Sequence, residues 1–365
     1  MAGTHIGALE EEYVLDALRN GWYGKNKYYY CETLEKEFAE YHNRKYALMT
    51  TNCTSALHLI LAAFGIGPGD EVIVPECTWI ASASPITYLG ATPIFCDIQE
   101  SSWCADPASI ERSITKNTKA VIAVDLFGNM PEMEKIQKIC DDNGLMLVED
   151  AAEALGSAYR GTRAGKFGMA STFSFHNTKT MSTGEGGMLL LDDKEVFERC
   201  VKLRDHGRGP ETKEYYNDTI GFKFMPFNLQ AAMGLAQFRQ IDNLLKIKKT
   251  HLDFYKENLV GLDLQFNHES ENIVNGAWIT GVVLGRSYGL TKHDVISEML
   301  KYGIPTRPFF YPLSSIPAFS MEQEYRHKNP VSYDISLRGI NLPGAPNLTT
   351  EDLSFICNSF KEVLR

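Results

Sequence analysis

Three short stretches carry side chains whose types and spacing could do chemistry. The first is ASTFSFHNTKTMSTGEGGMLLLDD, residues 170–193, in which a strand ending at Phe175 leads through a polar turn to Lys179. Gly184, Gly186 and Gly187 then permit a tight reversal into a second strand, Met188 to Leu191. A lysine fixed between two strands can be desolvated. Desolvation favours the neutral amine, which is a nucleophile toward carbonyl groups and a base. Taken alone, Lys179 reads as a surface lysine, and its neighbours change that reading.

The second stretch, VEDAAEALGS at 148–157, puts Asp150 at the carboxyl end of a buried strand, where open α/β sheets take their ligands. A carboxylate there either caps the next helix or faces a cation. The protonated pyridine nitrogen of pyridoxal phosphate (PLP) is such a cation, and the ion pair keeps the ring an electron acceptor. The third stretch is MTTNCTSALHLIL, where Asn52-Cys53-Thr54-Ser55 runs into an apolar helix starting near Ala56. Two hydroxyls and backbone N–H groups at a helix N-terminus suit a phosphate, and they equally suit a plain N-cap. Trp79, in ECTWIAS, could cover a planar ring or pack in the core. His176 stands three residues before Lys179; positions three apart in a strand face opposite ways, so it reads as a structural histidine.

These residues need a scaffold, and the rest of the chain supplies one. The runs DEVIVP (70–75), ATPIFCDI (91–98), KAVIAVDLFG (119–128) and LMLVED (145–150) are continuous and apolar, as strands covered on both faces require. Between them PEMEKIQKICDDNG has helical spacing and a glycine stop. The pattern predicts an α/β, doubly wound large domain over 1–235. A long charged helix, QFRQIDNLLKIKKTHLDFYKENL, strand-like AWITGVVL and helical KHDVISEMLKYG then predict a smaller C-terminal α+β domain over 236–365.

The 365 residues are 44% hydrophobic and 22% charged, ordinary for a globular chain. The net charge of -10 argues against nucleic-acid or anionic-membrane surfaces, which need a basic field. No leader or membrane-spanning run is visible, so a cytoplasmic protein is expected. The eight scattered cysteines have no metal-ligand spacing and read as buried thiols, with no metal site.

In their order, NCTSALHL, DEVIVPECTW, VEDAAEALGS, FSFHNTKTMSTGEGGM and GIPTRPFFYPL resemble the DegT/StrS sugar aminotransferases. These are PLP enzymes of the aspartate aminotransferase fold, and the resemblance runs over nearly the whole chain. It implies transferase fold type I, with a central mixed, mostly parallel seven-stranded sheet. It also implies that Lys179 holds PLP as an internal aldimine and that Asp150 pairs with the ring nitrogen. Thr54, Ser55 and Ser174 would hold the phosphate, and Trp79 would stack on the ring. Arg307, Tyr311 and Trp22 would lie near a sugar nucleotide. The reaction implied moves an amino group from glutamate, through pyridoxamine phosphate, to a nucleotide-linked keto-sugar for surface polysaccharide or glycoconjugate synthesis. A homodimer with shared active sites is implied too. Within the family the sequence most resembles the GDP-perosamine synthases, which aminate a 4-keto-6-deoxy sugar.

Three positions depart from the family pattern. Glu153 stands near the cofactor's ring oxygen, where many relatives have Gln. Lys223, in Gly221-Phe222-Lys223-Phe224-Met225, stands in a segment from which relatives lend an Asn to the neighbouring subunit's phosphate. Ser314 replaces a His of several perosamine-type enzymes. Other readings stay open at this point: a 3-keto-sugar aminotransferase, a sugar dehydratase on the same fold, or a PLP-binding regulator without turnover.

Overall fold

The computed structural model describes residues 5–209 and 213–365. The central sheet is built from β1 (Tyr46–Thr50), β2 (Glu71–Pro75), β3 (Thr92–Cys96), β4 (Thr118–Val124), β5 (Met146–Asp150), β6 (Ala170–Ser174) and β7 (Gly187–Leu191). Their order in space is β1-β7-β6-β5-β4-β2-β3. Neighbours from β6 to β3 are parallel, whereas β7 runs antiparallel to both β6 and β1. This is the expected mixed, mostly parallel seven-stranded sheet.

The apolar runs are continuous because both faces of the sheet are covered. Ile73, Val121, Ala123, Leu147 and Leu190 point to one side, where they meet Leu34, Phe38, Ile136 and Leu235. Their neighbours Val72, Val74, Ile122, Val148 and Leu189 point to the other, against Leu57 and Ile60. Alternation with period two therefore feeds two cores at once. The glycine stop holds: helix Met133–Asn143 ends at Gly144, whose φ of 64° is left-handed.

The structure differs from the sequence reading in the long charged helix. It is two helices, Asn228–Phe238 and Ile241–Asn258. At the break the Gln240 side chain donates to the carbonyl of Ala236, one of the carbonyls that a helix end leaves without a partner. The second helix leads to a sheet of β8 (Leu264–Phe266), β9 (Gly281–Leu284), β10 (Arg307–Pro308) and β11 (Gly339–Asn341), antiparallel throughout in the order β8-β9-β11-β10. Its core contains Tyr255, Val282, Val295, Met299, Ile340 and Phe360. The run AWITGVVL pairs only over Gly281–Leu284. Ala277 has φ 52°, a conformation no strand contains, and the residues around it turn toward the ends of β5 and β6.

Candidate active site

A cavity of about 510 Å³ opens at the carboxyl ends of the parallel strands. Asp150, the last residue of β5, and Ser174, the last of β6, reach it directly. Thr54 reaches it from the first turn of helix Cys53–Ala63, which begins three residues earlier than expected because the Asn52 side chain accepts the Ser55 N–H at 2.7 Å. Gly187 is what allows β7 to lie against that turn. A Cβ there would meet the Asn52 carbonyl carbon at 2.4 Å and the Cys53 nitrogen at 2.5 Å.

Lys179 and Glu153 line the same cavity. The lysine Nζ donates to Glu153 Oε1 at 3.1 Å, with the two side chains 14% and 7% exposed. Glu153 Oε2 accepts the Phe127 N–H at 2.9 Å. The Lys179 ammonium also lies 3.8 Å from the ring centroid of Trp278, whose indole N–H donates to the Thr178 carbonyl at 2.6 Å. Asp150 is buried, accepts the Ser82 hydroxyl at 2.7 Å and the Ala152 N–H at 3.2 Å, and has Cys53 Sγ at 3.8 Å. Burial raises the pKa of both Asp150 and Glu153 above the usual carboxylate value; the hydrogen bonds to each and the charge of Lys179 oppose that rise. Trp79 and Arg307 complete the lining with Phe310, whose ring is 5.7 Å from that of Trp79.

Four sequence candidates lie outside the lining. Ser55 is buried one residue further into the helix, its hydroxyl 3.0 Å from that of Thr51. Lys223 is paired with Asp205 at 2.7 Å on the surface. Trp22 packs against Phe227 at 5.5 Å and donates to the Leu18 carbonyl. Tyr311 contacts His293 Nε2 through its hydroxyl at 3.2 Å, with Lys292 Nζ 3.9 Å from its ring. His176 does line the cavity, with Nδ1 3.0 Å from the Thr178 hydroxyl. Ser314 is fully buried and binds Glu76 through both hydroxyl and N–H. Sequence reasoning missed Trp278, Ser82, Phe127 and Phe310. Two of them stand near residues already singled out, Ser82 three positions after Trp79 and Phe310 directly before Tyr311.

The DegT/DnrJ/EryC1/StrS aminotransferase family matches residues 4–361. The chain belongs to this family. A GDP-perosamine synthase of Escherichia coli O157:H7 is 39% identical over 353 residues, spanning 97% of this chain and 95% of the relative. One from Vibrio cholerae is 36% identical, over 96% and 95%. The PLP form of the Streptococcus pneumoniae protein Spr1654 superposes with TM-score 0.92 at 28% identity, over 100% of this chain and 97% of that one. The fold is that of the PLP-dependent sugar aminotransferases, and the chain is a PLP-dependent enzyme of that kind.

The cavity suits PLP chemically. It offers an amine for the aldehyde, a buried carboxylate for the ring nitrogen, and hydroxyls on a helix N-terminus and a strand end for the phosphate. Among the described residues no His, Cys, Asp or Glu cluster could hold a metal ion, and no helix is long and apolar enough to cross a membrane.

Proposed function

We propose that this aminotransferase moves an amino group from glutamate to a nucleotide-linked 4-keto-6-deoxy sugar, in the synthesis of a surface polysaccharide or glycoconjugate. The observation that carries this reading is the placement of the Lys179 amine and the buried Asp150 carboxylate on one cavity. Both GDP-perosamine synthase relatives support the choice of sugar. Bound PLP supplies an electron-accepting ring.

The side chains around it have distinct tasks. Lys179 anchors the cofactor and, once released, carries a proton to and from the substrate carbon. Glu153, 3.1 Å away, holds the ammonium in place when it is charged. Asp150 keeps the ring nitrogen protonated, and Ser82 holds that carboxylate in orientation. Thr54 and Ser174, with Ser55 stiffening the turn, take the phosphate. Trp79 covers the ring, and Arg307 faces the anionic nucleotide. Trp22, Tyr311 and Lys223 lie further out and act where the sugar nucleotide or a second subunit approaches.

The active form is a cytoplasmic homodimer. Tyr215 and Ile220, 95% and 97% exposed, precede the Lys223 segment as apolar surface that a second copy would cover. All eight cysteines are unpaired and buried, as suits a reducing compartment.

The test is incubation of the PLP-loaded protein with glutamate and nucleotide-linked 3-keto and 4-keto sugars, read by mass spectrometry. One 2-oxoglutarate per aminated 4-keto sugar is expected. Dehydrated sugar without 2-oxoglutarate, or amination of 3-keto sugars alone, would overturn the assignment.

A further inference from the structure

Directly beneath this site lie two carboxyl groups that the reaction does not use. Asp125 follows β4 and Glu149 lies in β5, next to Asp150. Both are wholly inaccessible to solvent. Glu149 Oε2 accepts the backbone N–H groups of Gly165 and Phe167, at 2.9 and 3.0 Å. Written as two carboxylates, the pair leaves Glu149 Oε1 and both oxygens of Asp125 without a donor. Buried acceptors of that kind are costly, and two adjacent buried anions more so.

We propose that Asp125 and Glu149 share a single proton, and that the resulting neutral-plus-anion pair holds the turn after β4 in the shape that serves the active site. The proton sits on Asp125 and is donated to Glu149, because Glu149 already has two N–H donors and feels the positive charge of Arg44. The other ionisable groups that act on the pair are Asp150 and Cys104. Burial, followed by repulsion from Glu149, raises Asp125 well above the ordinary carboxylate range, whereas at Glu149 the upward push of burial is opposed by the two N–H donors, by Arg44 and by the hydrogen bond from Asp125. Asp125 is a positioning residue. Its backbone N–H donates to the Asp150 carbonyl at 3.1 Å, and its own carbonyl accepts the Gly128 N–H at 3.3 Å. Between them Phe127 takes φ 56°, gives its N–H to Glu153, and lays its ring against Trp278 and Phe310.

The linkage has a definite sign. The folded pair keeps a proton that the unfolded chain releases near pH 4, so stability falls as pH rises from there toward the pair's raised value. Asp125→Asn replaces the shared proton with a permanent N–H donor and removes this dependence. Urea unfolding of the full chain without added cofactor, from about pH 5 to about pH 7, compares the two proteins. The folding equilibrium of the wild type should fall relative to Asp125→Asn by roughly tenfold per pH unit. Parallel curves would overturn the proposal. If Asp125→Asn does not fold, Glu149→Gln provides the same comparison with the amide on the other side. Failure of both to fold would also overturn it, since each supplies the donor that the proton is held to supply.

The positioning role has its own readout. PLP titrated into Asp125→Asn at pH 7.5 should bind within about threefold of the wild type. Asp125→Ala, which removes the bridge, should bind at least tenfold more weakly and alter Trp278 fluorescence. Equal affinity and emission in Asp125→Ala would refute positioning. The unfolding comparison needs no cofactor, so it stands or falls apart from the proposed sugar chemistry.

Discussion

Gly187→Ala isolates the contact that sets the first turn of helix Cys53–Ala63, and with it Thr54, against the cavity. The glycine's φ lies outside the left-handed region, so the added methyl acts by sterics alone. Its Cβ would stand 2.4 to 2.6 Å from three backbone atoms of Asn52 and Cys53, roughly 1 Å inside a normal contact. Neither side gives easily, because Gly187 pairs with Thr50 on one edge and Ser174 on the other. Overpacking of this kind costs about 1 to 3 kcal/mol. Its relief moves the first turn of helix Cys53–Ala63, and with it Thr54, by a distance on the scale that costs about a hundredfold in function. The assay is PLP titration by absorbance beside urea unfolding, with Gly67→Ala as control, where a methyl meets nothing within 4 Å. The variant should lose about 2 kcal/mol of stability and at least tenfold in PLP affinity. Wild-type values for both would refute the role given to this close approach.

Three further outcomes follow from the geometry. Ser82→Ala leaves one oxygen of buried Asp150 without its 2.7 Å donor and should cost about 1 to 3 kcal/mol in urea unfolding; an unchanged midpoint would contradict it. Glu153→Gln keeps an acceptor for the Phe127 N–H but strands the Lys179 ammonium, so cofactor-free protein should lose about 3 kcal/mol, and unchanged stability would refute that pairing. At Asp192 burial opposes ionisation, yet Lys166, the Lys45 N–H and Arg44 outweigh it and hold the carboxyl at about 2. Its stabilisation is complete above the ordinary value near pH 4 and is lost as pH falls through about 2, so Asp192→Asn should be weaker at neutral pH and show a shallower acid loss.

Much of the scaffold was legible because strands buried on both faces leave uninterrupted apolar runs, as in KAVIAVDLFG and LMLVED. The cavity position of Asp150 was legible because it ends such a run, and that of Lys179 because it follows the end of β6 in the turn that leads to β7. The helix start at Cys53 was misplaced by the apolar pattern, which begins at Ala56, whereas the Asn52 cap fixes the boundary upstream. Trp278 was hidden in a segment that reads as a strand, since nothing local signals the positive φ of Ala277 that turns it toward Lys179. The Asp125 and Glu149 pair was hidden for the opposite reason. Each looks like a strand-end carboxylate, and only the register of β4 beside β5 brings them together.

The central claim is that Lys179 holds the cofactor in the cavity beside Asp150. Borohydride reduction of the PLP-loaded protein, followed by peptide mapping, tests it directly. The phosphopyridoxyl group should be found on Lys179 in the peptide containing FSFHNTK. Stoichiometric label on another lysine, such as Lys292 or Lys223, with Lys179 unmodified, would contradict it.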